Sequence, residues 1–269
     1  QALTRYYETL LEEERIAPRY YARSGISFGL QLDLNGNLIG ILWLKQTSER
    51  NGKQVERPQS LDLPEGVVRS SGVLPNFLWD NAMYFLGLDA KGDAGRAARC
   101  FESAKELHLG ILDSLQNRTA KAICAFFQSW RPEDAASNPI VMPYLEGLLG
   151  GGNITFCGFE TTYAFEDIEI RAAWENHRKE NESLFRSQCL VTGLWDQPIE
   201  RVHPKVKGVA GGQSVGTSLV SANGNAFESY GLEQNLNAPV SEYAAFAYTS
   251  ALNSLIADFD HRMSLDGDT

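Results

Sequence analysis

At 269 residues, with 43% hydrophobic and 22% charged side chains, the chain is long enough to bury one large core or two smaller ones. A formal net charge of −10 opposes non-specific attraction to phosphate, so any contact with nucleic acid has to be local or made inside a larger basic assembly. No apolar run approaches the roughly 20 residues of a membrane helix, and Gln1–Tyr7 lacks the basic-then-apolar pattern of a signal peptide, so the expectation is a cytoplasmic protein.

Residues 2–15 carry Leu3, Tyr6, Tyr7, Leu10 and Leu11 at helical spacing, closed by Pro18. A hairpin follows: Ile26, Phe28, Leu30, Leu32 and Leu34 alternate up to Asn35-Gly36, whose preference for positive backbone angles suits a tight turn, and Leu38–Leu44 returns. The polar run 46–54 reads as a surface loop. From about Asn76 to Leu149 the pattern is helical: one helix capped by Asn76, a second over Ala94–Leu115, and a third over Arg118–Trp130. Pro132, Pro139 and Pro143 then break the remainder into short pieces. After Gly150-Gly151-Gly152 come a strand over Ile154–Phe159, a charged helix over Glu166–Asn181 and a further strand within Leu184–Val191. Residues 198–232 are rich in glycine, serine and asparagine, with short β-like runs such as Thr217–Val220. The last helix covers Ser241–Phe259, with Pro239 ahead of it and Ser241 placed to cap. The fold class is α+β: short antiparallel sheets, including the N-terminal hairpin, packed with a central helical segment and a long C-terminal helix.

Motifs for chemistry are weak. Cys100, Cys124, Cys157 and Cys189 are too widely spaced for a zinc site or a disulfide framework and read as buried free thiols. His108, His177, His203 and His261 have no metal-ligand spacing. No metal and no cofactor are expected. Gly212-Gln213-Ser214-Val215-Gly216 fits the G-x-S-x-G elbow of serine hydrolases, with His261, Asp258 and Asp260 downstream. The elbow needs a buried strand before the serine and a helix after it. Here the preceding Lys205–Val209 is weakly apolar and the following Thr217–Ser221 reads as a strand, so a hydrolase using Ser214 is a remote alternative. Neither Gly147–Gly152 nor Gly208–Gly216 ends in the G-K-[S/T] of a phosphate loop, and each reads as a connection.

Segment 201–216 places Arg201, His203, Lys205 and Lys207 directly before Gly211-Gly212-Gln213-Ser214. A glycine loop lets backbone N–H groups approach a phosphate or base edge, and nearby cations can hold the DNA backbone. A solvated surface hairpin accounts for the same composition. Asn76, Asn81 and Asn223 carry amides that could read base edges, although Asn76 also reads as a helix cap and Asn81 as satisfying buried backbone.

Four stretches taken in order resemble one family: Gln1–Tyr7 (QALTRYY); Ser71–Cys100, with SGVLPNFLWDNAMYFLG, DAKG and RAARC; Cys189–Gly193 (CLVTG); and Val202–Leu255, with VHPKVKGVAGGQSVGTSLVSANGNAFESYG and LNAPVSEYAAFAYTSALNSL. Together they look like the N-terminal portion of the large subunit of the type I-C (Dvulg subtype) CRISPR Cascade complex. Val215 and Ala222 stand where the family pattern has a small polar residue and an aromatic.

The resemblance implies that residues 1–269 form a DNA-inspecting region followed by a helical C-terminal domain beyond them, in keeping with the abrupt ending Leu265–Thr269. It implies a non-catalytic subunit that recognises the protospacer-adjacent motif in duplex DNA and promotes duplex opening while guide RNA reads the target. The implied partners are the other Cascade subunits, CRISPR RNA, target DNA, the helicase–nuclease and viral anti-CRISPR proteins, with no membrane. Carried onto this sequence, motif readout falls to Gly211, Gly212, Gln213 and Ser214, then to Asn76, Asn81 and Asn223. Phosphate contact falls to Arg201, Lys205 and Lys207. The alternative within binding proteins is an assembly platform without base readout.

Overall fold

A computed structural model describes residues 1–258 apart from 51, 52, 68, 70, 71, 214, 215 and 223. The chain opens with α1 (Ala2–Glu12) and continues through six strands: β1 (Tyr21–Ile26), β2 (Phe28–Leu32), β3 (Leu38–Trp43), β4 (Gln46–Arg50), β5 (Lys53–Arg57) and β6 (Gln59–Pro64). Next come β7 (Trp79–Asp80), α2 (Ala82–Phe85), α3 (Ala94–Leu112), α4 (Arg118–Ser129) and α5 (Leu145–Leu149). The remaining elements are β8 (Ile154–Phe156), α6 (Ile168–Glu180), β9 (Arg186–Ser187), β10 (Gln197–Pro198) and α7 (Glu242–Ala257). The class is α+β, with short, mostly antiparallel sheets. Two compact units divide these elements: a central unit, residues 20–179, and a terminal unit built from residues 1–19 and 180 onward.

The central unit is organised on a four-stranded sheet of order β3-β2-β8-β7. The hairpin β2–β3 is antiparallel, with Phe28 opposite Trp43. Its turn is built by Asp33 rather than by Asn-Gly alone: Asp33 Oδ1 accepts from the Asn35 and Asn37 N–H groups, both at 2.8 Å, and Gly36 supplies the positive φ of 81°. β8 returns from the helical region to pair parallel with β2, placing Phe156 opposite Leu30. Phe28, Leu30, Ile154 and Phe156 are all fully buried. Over this sheet α2–α4 bring Phe85, Phe126 and Phe127 to Phe156, with ring centroids 4.8 to 5.7 Å apart.

Three sequence expectations are corrected here. The run 46–54, expected as a loop, supplies β4 and the start of β5, which pair as an antiparallel ribbon. The helix expected from Asn76 is a strand and one short helical turn, and its cap is Asn81, whose Oδ1 accepts from the Met83 N–H at 3.0 Å. The strand expected in Leu184–Val191 shrinks to the two residues of β9.

In the terminal unit α1 lies on α7. Tyr7 is fully buried against Ala247 and Ala251, with its ring edge-on to Phe246 at 5.5 Å. The small residues of α7 make room for that ring, and Tyr7 Oη donates to Ala17 O at 3.2 Å. Ser241 caps α7 as its sequence position indicated, accepting from the Ala244 N–H at 3.2 Å.

Candidate nucleic-acid interface

The segment that the sequence singled out is tied by backbone and side-chain hydrogen bonds to α7 and to the chain leading into it. Ile199 bridges Ser241, and the Glu200 N–H donates to Val240 O at 2.9 Å. The buried Asn235 donates through Nδ2 to Arg201 O at 2.9 Å. His203 Nδ1 lies 2.6 Å from the Tyr248 hydroxyl. Further along, Asn253 reaches both sides of Val206: its Oδ1 accepts from the Lys207 N–H at 2.8 Å and its Nδ2 donates to Lys205 O at 3.3 Å. Ile199, His203 and Val206 therefore point inward, while Arg201, Lys205 and Lys207 are exposed.

His203 does not belong to the basic set with which the sequence grouped it. It is 2% exposed, and burial lowers its pKa below the ordinary histidine value, which favours the neutral form. Arg201 is exposed but lies 3.5 Å from the Glu233 carboxylate, which offsets part of its charge. Lys205 and Lys207 have no ion-pair partner among the described residues.

The loop beyond them is closed by a single antiparallel bridge. The Val206 N–H donates to Thr217 O and the Thr217 N–H donates to Val206 O, both at 2.8 Å. Within the loop the Gly212 N–H donates to Val209 O at 3.0 Å, and Gly208–Gln213 are exposed. Gly211 and Gly216 have φ of 72° and 98°. At Gly216 a Cβ would lie 2.8 Å from Lys205 Cβ, so glycine there allows the return of the chain beside the lysine stems. The arrangement presents two exposed ammonium groups, without an ion-pair partner among the described residues, beside an exposed glycine-rich loop that carries Gln213. Ser214 and Asn223 lie outside the described residues.

Asn76 and Asn81 belong to the central unit and have structural partners. Asn76 is 6% exposed, and its Oδ1 accepts from the Val67 N–H at 2.9 Å. Its backbone N–H donates to Asp80 Oδ2 at 2.8 Å, and the Asn81 N–H donates to Asp80 Oδ1 at 2.8 Å. The third partner of that buried carboxylate is Arg69, which forms a bidentate pair with it and lies 4.2 Å over the Tyr84 ring. The stretch 74–81 is thus a hydrogen-bonded knot around Asp80 in which the amide oxygens of Asn76 and Asn81 are both engaged.

Around the G-x-S-x-G match, Gly216–Ala222 contain the bridge at Thr217 and no helix; the β-like run expected over Thr217–Val220 is reduced to that bridge. His261 and Asp260 lie outside the described residues. Among the described residues no group of three or more His, Cys, Asp or Glu side chains could hold a metal ion, and no helix is long and apolar enough to cross a membrane. All four cysteines are free. Cys189, which opens the CLVTG stretch, is packed at the start of α7. Its Sγ accepts from the Ser241 N–H at 3.2 Å and the Thr192 N–H at 3.5 Å. Burial alone would raise its pKa; these donors outweigh burial and lower it to about 7.

Sequence reasoning missed Asn253, Asn235 and Tyr248, which position the candidate segment. A polar Asn253 between Leu252 and Ser254 in a largely apolar helix was the available signal. A search of curated proteins found no match. The family described as CRISPR-associated protein (Cas_Csd1) matches residues 3–269. With that match running over nearly the whole chain, through the terminal and central units alike, the protein belongs to the Csd1 family of CRISPR-associated proteins.

Proposed function

We propose that this chain is the duplex-inspecting part of the large subunit of a type I-C CRISPR surveillance complex, and that it acts as a binding protein without a catalytic centre. Guide RNA reads the target by base pairing. This chain inspects the short adjacent motif, helps open the duplex and presents the complex to a separate helicase–nuclease. Its readout element is the loop Gly211–Ser214, with Lys205 and Lys207 on phosphate and Arg201 in support. The observation that carries the reading is the placement of two exposed lysines, without ion partners among the described residues, beside a glycine loop whose base Asn253 anchors to α7. Minor-groove inspection suits such a loop, because few hydrogen-bonding groups are needed and bare backbone approaches closely. Asn76 and Asn81 fall to supporting rank, since both amide oxygens serve the fold.

An acidic chain can work in this way when neighbouring subunits supply most of the basic channel. The test is duplex binding across a salt series by the complex assembled with the full-length large subunit. Lys205→Ala/Lys207→Ala is expected to weaken every duplex alike and to reduce the salt slope by about 2, one phosphate per lysine. An unchanged slope would remove these lysines from the DNA contact.

A second reading is supported by the apolar surface of the terminal unit, where Leu184, Trp195 and Tyr230 are 97%, 73% and 101% exposed. On that reading the chain is chiefly an assembly platform that joins the other subunits, with motif readout elsewhere.

A further inference from the structure

The glycine-rich stretch 147–152, which the reading above leaves unused, forms one side of a cavity of about 560 Å³ in the central unit. That size is within the range of small-ligand and side-chain pockets. Two aromatic side chains line it, Trp43 from the end of β3 and Tyr144 just before α5. Both rest on one fully buried ring: Phe28 meets Trp43 edge-to-face at 5.3 Å and Tyr144 at 6.4 Å. Glycine is required on the facing side. A Cβ on Gly147 would lie 2.8 Å from Phe28 Cζ and 3.5 Å from Trp43 Cζ3, and one on Gly152 would lie 2.6 Å from Phe28 Cε2. The stretch therefore permits close approach to an aromatic platform, which a mere connection would not need.

The charges around that platform set the sign of its ligand. Glu56 from β5 and Glu146 from α5 line the cavity with Lys45, so carboxylates outnumber the ammonium. Neither Glu56 nor Glu146 has an ion-pair partner among the described residues. The Lys45 ammonium lies 4.6 Å from the centroid of the 44%-exposed Trp43 ring, so the indole face already holds a cation from its own chain. An anionic group entering here would meet two carboxylates, whereas a cation would gain both carboxylates and the indole.

The geometry points to a docking site for an arginine side chain of a basic partner polypeptide, its guanidinium stacked on Trp43 and paired with Glu56 and Glu146. Arginine is the cation that fits, because its planar guanidinium stacks on aromatic faces and binds carboxylate bidentately. Lys45 is then an internal competitor for the indole face. This site is independent of the loop assigned to DNA, and neither stands or falls with the other.

Titration of the ¹⁵N-labelled chain with acetyl-Gly-Arg-Gly-amide tests it, reading the Trp43 indole N–H resonance, assigned by Trp43→Phe. A saturable shift is expected, at least about ten-fold weaker for the isosteric citrulline peptide, which lacks the charge. Glu56→Gln/Glu146→Gln is expected to weaken arginine binding by about ten-fold. Lys45→Met should strengthen it by about two- to five-fold, by freeing the indole face. A nucleotide site would respond oppositely to Lys45→Met, so guanosine monophosphate is titrated alongside. Absence of a saturable shift, equal binding of the citrulline peptide, weaker arginine binding by Lys45→Met, or a preference for the nucleotide would each overturn the assignment.

Discussion

Replacing His108 by phenylalanine separates packing from proton binding in the core of the central unit. The imidazole is fully buried and stacked between Phe127, at 4.6 Å, and Phe77, at 5.3 Å. Its Nε2 faces the Leu78 N–H at 2.9 Å and must accept, which places the ring proton on Nδ1, 2.6 Å from Ala104 O. Both nitrogens are thus satisfied in the neutral tautomer. Burial lowers the pKa from 6.5 to about 4. The unfolded chain binds a proton at this residue near pH 6.5, where the folded chain does not. The contribution to stability is therefore complete above that value and is lost as pH falls towards 4. Between pH 7.5 and pH 5 the loss is about 2 kcal/mol, from roughly 1.5 pH units at about 1.4 kcal/mol each. Phenylalanine keeps the ring packing, removes the titration and leaves the buried Leu78 N–H without its acceptor, at a cost of about 1–3 kcal/mol. Urea unfolding at pH 7.5 should show His108→Phe less stable by that amount. At pH 5 the gap should narrow by about 2 kcal/mol. An identical gap at the two pH values would refute the reasoning.

Arg69→Met strands the Asp80 carboxylate, which is 1% exposed, with only two backbone donors, and should cost about 3–5 kcal/mol in urea unfolding. Adding Asp80→Asn should recover part of that loss by removing the unpaired charge, and double-mutant analysis of the same curves checks it. Asn253→Ala removes both anchors of the Val206 bridge in a partly exposed place, so global stability should change by less than about 1 kcal/mol. Hydrogen exchange at the Lys207 amide should accelerate by about ten-fold, and duplex binding should weaken although no residue that faces DNA has changed.

What could be read directly from the residues was whatever short-range physics decides. Alternation around Asn35-Gly36 marked β2 and β3, helical patterning marked α3, α4 and α7, and Ser241 was legible as the cap of α7. The parallel pairing of β2 with β8 joins residues far apart in sequence and leaves no local trace. Apart from Val55 the ribbon β4–β5 is polar, so it lacks the alternation that marks a half-buried strand. Asn76 and Asn81 both precede apolar residues, and the choice of cap is made by tertiary contacts: Leu78 sits at a φ of 61°, held by His108 from thirty residues away. At the candidate interface the lysines and glycines were visible as composition. Burial of His203, pairing of Arg201 with Glu233 and the clamp of Asn253 all depend on chain segments brought together by folding.

The central claim is that the glycine-rich loop carrying Gln213 reads the adjacent motif. The most direct measurement is the affinity of the complex, assembled with the full-length large subunit, for duplexes with and without that motif, comparing the wild type with Gln213→Ala. The account predicts that the substitution lowers the motif preference by about ten-fold, the value of one lost base-edge contact, while binding to motif-free duplex stays the same. An undiminished preference in a fully assembled complex would contradict it and would favour the assembly platform.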